Sequence, residues 1–133
     1  MRDESRGLSF FELRSANAER VTHFRDARGR ISHESVNDWS PADWLMAVTG
    51  ELGELANLLK KVHRGDFEQQ DVQQEIADEL ADVAIYLDLL ALRLGVRLDD
   101  AIVRKFNIVS ERVNSRVRLP VTAEDPTTGR EEG

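Results

Sequence analysis

The sequence predicts an all-α fold of four helices in a bundle-like arrangement. Three observations carry that prediction. Apolar residues recur at three- and four-residue intervals in four separate segments. No segment sustains the period-2 alternation of a half-buried strand, and VRLP near the C-terminal end is too short to build a sheet. The best-defined segment opens and closes on helix-cap residues. At 133 residues the chain is long enough for one domain with a real core. That domain is expected over residues 1–118, followed by a polar, Pro- and Gly-punctuated tail at 119–133 that is expected to be disordered.

The first helix is expected from about Ser9 to Asp26, with Phe10, Leu13, Val21 and Phe24 at roughly helical spacing. The stretch ARGRISHESVND has no clear period and reads as a loop. The second helix starts cleanly, with Ser40 as N-cap, Pro41 at the first helical position and Asp43 in the first turn. It stops at Gly65, after Lys60, Lys61 and Arg64, which sit where the helix dipole favours cations. The third helix is expected over Asp71 to Leu94, ending at Gly95, and the fourth from near Asp99 to about Arg116.

Composition narrows the function classes. The 18 basic residues are outnumbered by 25 acidic ones, for a net charge of −7. This argues against a surface for a nucleic-acid polymer. A small anionic ligand held by a few local cations and a metal stays open. With no cysteine, disulfides, thiolate-bound zinc and thiol nucleophiles are excluded. The N-terminal MRDESRGLSFFELRSANAER lacks an apolar signal core, and no 18-residue apolar run occurs, so a cytoplasmic protein without a membrane segment is expected.

Two acidic pairs, Glu51-x-x-Glu54 and Glu79-x-x-Asp82, stand inside the most apolar stretches. Residues three apart share a helix face, so each pair projects two carboxylates the same way. At about 100° per residue, Trp44, Val62 and Leu58 fall within about 20° of Glu51, with Glu54 about 60° away. On the third helix Val72, Leu90 and Tyr86 fall within about 20° of Glu79, with Asp82 again about 60° away. Both helices thus carry one acid within the apolar stripe and a second at its margin. Buried carboxylates are unfavourable without compensation, and four converging acids call for a cation between them. An all-oxygen donor set suits Mg²⁺ or Mn²⁺. A di-iron site would need Glu-x-x-His pairs, and none of His23, His33 and His63 follows a Glu by three residues. Gly50 and Gly53 bracket Glu51, which is read either as close helix packing or as room for a ligand beside the acids.

The set Glu51-x-x-Glu54, 24 residues, Glu79-x-x-Asp82 resembles the E-x-x-E…E-x-x-D motif of the MazG-like all-α nucleoside triphosphate pyrophosphohydrolases. GELGELANLLKK, DELADVAIYLDLLA and KFNIVSERV are similar to that family as well, and the resemblance covers about residues 10–118. It implies a helical homodimer or dimer of dimers with sites at the subunit interface. It implies Mg²⁺-dependent hydrolysis of a nucleoside triphosphate to the monophosphate and pyrophosphate, by water attack at the α-phosphorus. Glu51, Glu54, Glu79 and Asp82 match the family's metal-binding acids, and Glu51 or Glu54 is a candidate for the base. Many members have Glu where this chain has Gly50, which leaves the base open.

Substrate contacts are sought on other helices. Lys105 and Arg112 lie seven apart on one face of the fourth helix, with Arg116 close by. They read as a solvated basic stripe or, as the resemblance favours, as phosphate contacts. Relatives carry Asn four residues after that Lys, where this chain has Val109; Asn107 is a further candidate. Lys60, Lys61 and Arg64 are helix-end cations or reach a polyphosphate. Tyr86 resembles a position lining the nucleotide pocket, and reads equally as a core or interface residue. Asn17 and Arg20 share a side of the first helix and are candidates for hydrogen bonds to a base. Trp44 is expected in the core, and Trp39 is a candidate to stack on a base or cover the site. The expected role is control or cleansing of the nucleotide pool. Two rivals stand beside it: a phosphoribosyl-nucleotide pyrophosphohydrolase of the same fold, and a non-catalytic helical dimerisation or regulatory module.

Overall fold

The computed structural model describes residues 6–24 and 39–121. The expected loop at 27–38, the last residues assigned to the first helix, His33 and the tail beyond residue 121 lie outside them. The described residues contain four α-helices and no strand: α1 (Phe10–Arg20), α2 (Pro41–Arg64), α3 (Gln73–Arg93) and α4 (Leu98–Arg112). The all-α prediction holds. The described residues fall into two compact units, one ending at Val96 and one starting at Arg97, described in turn.

In the first unit, the starts of α1 and α2 are fixed by reciprocal caps. Ser9 Oγ accepts from the Glu12 amide at 3.1 Å while Glu12 Oε2 accepts from the Ser9 amide at 2.8 Å. Ser40 and Asp43 repeat the device at 3.1 and 2.8 Å, with Pro41 at the first helical position. The first helix is shorter than expected. After Arg20 it tightens into a 3₁₀ turn, Val21–His23, and Phe24 leaves it in an extended conformation. Helix α2 ends where Gly65 takes φ 83°, which lets the Asp66 amide reach Lys61 O and the Gly65 amide reach Val62 O, each at 3.0 Å. A 3₁₀ turn, Gln69–Val72, precedes α3, so the α-helix begins at Gln73 instead of Asp71.

The short connection makes α2 and α3 an antiparallel pair, and their core falls into two clusters. Val21, Trp44 and Leu89 form one, with Phe24, Ile85, Tyr86, Leu90 and Leu92 packed around them. Leu55, Val72 and Ile76 form the other, flanked by Leu58 and Val62. The predicted acids occupy the break. On α2, Glu51 lies between Trp44 and Leu55; on α3, Glu79 and Asp82 lie between Ile76 and Tyr86. A continuous core would bury more apolar area, so the interruption marks where packing yields to polar chemistry.

The second unit holds α4, which ends four residues earlier than its apolar spacing suggested. Asn114 adopts φ 56°, and the Ser115 amide reaches Ser110 O at 2.8 Å while the Asn114 amide reaches Glu111 O at 3.1 Å. Asn is the one residue besides Gly that commonly accepts this left-handed position, so it closes the helix as a glycine would. Arg116 therefore lies beyond the helix and not on the face of Lys105 and Arg112. The chain then turns back, and Asn107 clamps Leu119 on both sides, donating to its carbonyl at 3.0 Å and accepting from its amide at 2.8 Å.

Candidate metal centre

Three of the four predicted acids converge. One carboxylate oxygen from each of Glu51, Glu79 and Asp82 lies within 4.8 Å of the others, and all three residues are half-buried. Glu54 is exposed and outside that triad, yet its charge and its side chain are near enough to help raise the Glu79 pKa. The electrostatics follow from the crowding. Burial, then Asp82, then Glu54 raise the Glu51 pKa. Burial, then the charges of Glu54, Glu51 and Asp82, raise that of Glu79. Glu79 Oε2 is sealed from solvent without a hydrogen-bond partner. An acceptor left in that state is unfavourable by roughly 1–3 kcal/mol, and a divalent cation would supply the partner it lacks. The all-oxygen donor set fits a hard cation.

This crowding fixes the sign of a pH effect in the metal-free protein. The native pKa values of Glu51 and Glu79 lie above the ordinary 4.5, so over that window the folded state binds more protons than the unfolded chain. Their contribution to stability is greatest below pH 4.5 and is lost as pH rises through the raised values. Thermal denaturation in EDTA from pH 4.5 upward should show the wild type losing stability relative to a Glu51→Gln/Glu79→Gln variant. Saturating Mg²⁺ should abolish that relative loss.

The aromatic candidates gather at one end of this centre. Tyr86 is half-buried with its ring 6.3 Å from that of Trp44, which in turn lies 4.5 Å from Trp39. Burial and the charges of Glu51 and Asp82 raise the Tyr86 pKa, against the opposing pull of Arg20. Arg20 sits over the Phe24 ring at 5.9 Å. Trp39 is partly exposed, and its carbonyl accepts from Arg93 Nε at 2.9 Å. Trp44 is buried, as expected for a core residue.

Other candidates are placed differently. The Asn17 side chain is 2% exposed and donates to Asp88 Oδ2 at 2.9 Å, so its amide is engaged inside the protein. Asn107 is occupied with Leu119. Lys105 and Arg112 are both exposed on α4 in the second unit. Lys61 is half-buried near the end of α2, Lys60 is exposed, and Arg64 pairs with Asp66. His23 and His63 are exposed and join no acid cluster among the described residues. Beside Gly50 and Gly53 an added Cβ would meet nothing within 4 Å, so open space and not helix packing accompanies these glycines.

Sequence reasoning missed Asp88. It is 1% exposed on α3, accepts from Arg14 Nε at 3.1 Å and from Asn17, and Arg14 also donates to Val96 O at 2.8 Å. A charged residue within YLDLLA was the available signal.

Fold and site define an all-α protein with a carboxylate centre built across an antiparallel helix pair. Residues 50–116, half of the chain, match the MazG-like family, and the chain belongs to it. A dCTP pyrophosphatase 1 from Rattus norvegicus is 35% identical over 94 residues, which is 63% of this chain and 51% of the rat protein. The chain thus spans about half the length of that curated relative. No solved structure matches it significantly.

Proposed function

We propose that the protein is a nucleoside triphosphate pyrophosphohydrolase that depends on Mg²⁺, or on Mn²⁺ in its place. It hydrolyses a (d)NTP to the (d)NMP and pyrophosphate by water attack at the α-phosphorus, and dCTP is the first substrate to test, given the rat relative. The observation that carries this reading is the triad of Glu51, Glu79 and Asp82 around the partnerless Glu79 Oε2. When bound, the cation supplies charge neutralisation for the phosphates and acidifies a coordinated water. Glu51, Glu79 and Asp82 hold it, and Glu54, exposed beside Glu79, completes the acidic wall. With Gly50 in place of a carboxylate, Glu54 or Glu51 is assigned as the base for the water. Lys105 and Arg112 are assigned to the phosphates, and Tyr86 and Trp39 to the base.

The same reading includes self-association. Leu45, Leu52 and Leu59 on α2, and Leu80 and Leu87 on α3 with Leu94 at its C-cap, form two rows spaced by seven residues, each residue 40–54% exposed. Apolar rows of that kind mark interaction surfaces, and a second copy of this chain presents matching ones. Among the described residues no helix is long and apolar enough to cross a membrane, in keeping with work on a cytoplasmic nucleotide pool. The test is pyrophosphate release from a panel of dNTPs and NTPs with and without Mg²⁺. Turnover of at least one nucleotide that stops in EDTA is expected. No turnover on any of them, together with no Mg²⁺ effect on thermal stability, overturns the reading.

A further inference from the structure

Two buried side-chain polar atoms among the described residues have no hydrogen-bond partner: Glu79 Oε2 and Trp44 Nε1. They are chemical opposites. The first is an acceptor in the carboxylate cluster and calls for a cation. The second is a donor on a residue only 2% exposed, and it calls for an acceptor. A buried N–H without a partner is unfavourable, and native proteins rarely keep one without a use.

The position of Trp44 suggests the use. It lies two helical turns before Glu51 on the same face of α2, seven residues or about 10 Å along the axis. Its ring centroid lies 6.3 Å from that of Tyr86 and 4.5 Å from that of Trp39. Trp39 is 42% exposed against 2% for Trp44, and its carbonyl accepts from Arg93 Nε. A metal-bound nucleotide with its phosphates at the carboxylates has its base displaced from them by a comparable span. The aromatic end of the α2–α3 pair therefore offers stacking faces and one unspent donor.

We propose that the Trp44 indole N–H is a specificity-determining donor that hydrogen-bonds a carbonyl oxygen of the nucleobase, with the Trp39 ring giving way to the base and stacking on it. The ligand class is a nucleotide whose base carries a ring carbonyl. Cytosine, uracil, thymine and guanine qualify, and adenine does not. The assignment rests on the nucleotide reading of the site above. It goes beyond that reading by naming the atom that recognises the base, where sequence placed Trp44 only in the core.

Two tryptophans give two indole N–H resonances in the ¹⁵N-labelled protein, so Trp44 is observable directly in the intact chain after assignment with a Trp39→Phe variant. Titration with dCMP and Mg²⁺ should move the Trp44 indole proton downfield, whereas 2-deoxyribose 5-phosphate, which lacks the base, and dAMP should leave it in place. In calorimetry, Trp44→Phe should weaken dCMP binding about tenfold, the worth of one well-placed hydrogen bond. It should leave the affinity for 2-deoxyribose 5-phosphate unchanged, which also shows that the variant is folded. A Trp44 resonance indifferent to dCMP, or one moved equally by the baseless sugar phosphate, overturns the proposal. These readouts need no turnover, so failure of the hydrolase reading alone would appear as dCMP binding without pyrophosphate release from dCTP.

Discussion

Replacing Glu79 with Gln is expected to lower pyrophosphate release by about 10³-fold, in the range seen when a group that stabilises transition-state charge is removed, and to raise the thermal stability of the metal-free protein. The two effects have one cause. Glu79 is the acid whose pKa is raised by all three of its neighbours, Glu54, Glu51 and Asp82, and its Oε2 lacks any partner. With a cation present these features make it a ligand. Without one they are repulsion and an unmet acceptor. Gln keeps the shape and removes the charge, so the metal-free fold gains while cation binding is lost. Steady-state pyrophosphate release, melting in EDTA and Mg²⁺ calorimetry check the three parts separately. Turnover within tenfold of wild type would refute the role of Glu79 as a ligand, and a lower melting temperature in EDTA would show that repulsion is not the governing interaction. The inverse relation between stability and activity is the signature of a site that interrupts a core.

What could be read beforehand divides along physical lines. The pattern of short-range signals was legible. Ser40, Pro41 and Gly65 define α2 because capping is local, and the E-x-x-E and E-x-x-D spacings translate directly into shared faces. The end of α4 is set by Asn114, a left-handed stop that apolar spacing does not register, Asn being the second choice for that position. The roles of Asn17 and Glu54 were beyond reach of spacing. Whether Asn17 faces a base or an internal partner depends on Asp88, 71 residues away. Whether Glu54 joins the triad depends on how α2 and α3 are rotated about their axes, and no periodicity fixes that to the few ångströms that separate a ligand from its neighbour. Trp44 shows the same limit. Its burial followed from the apolar stripe, but an unpartnered indole N–H is a property of the packed protein alone.

Asp88→Ala is expected to destabilise the fold by about 3 kcal/mol, the range for breaking a buried ion pair by removing one partner. Asp88 is 1% exposed, and its loss leaves the Arg14 guanidinium, 23% exposed, without its anion and the Asn17 amide without its acceptor. The pair is not kept for stability as such. Desolvating both charges offsets most of their attraction, so Arg14→Met/Asp88→Leu should recover most of what the single change loses. Urea denaturation of Arg14→Met, Asp88→Leu and the double variant closes the cycle and isolates the coupling. A loss below about 1 kcal/mol for Asp88→Ala, or a double variant as unstable as the sum of the singles, would refute this account. What the pair provides is position. It ties α1 to α3 at a single register, because Arg14 reaches Val96 O while Asn17 lies between Asp88 and Ile85 O. That register places Val21 against Trp44 and Leu89, and Arg20 within the field of Tyr86. The carboxylate triad is built by α2 and α3 alone. Under conditions where it remains folded, Asp88→Ala should therefore keep wild-type Mg²⁺ affinity while its affinity for dCMP falls, which separates the metal half of the site from the half that holds the base.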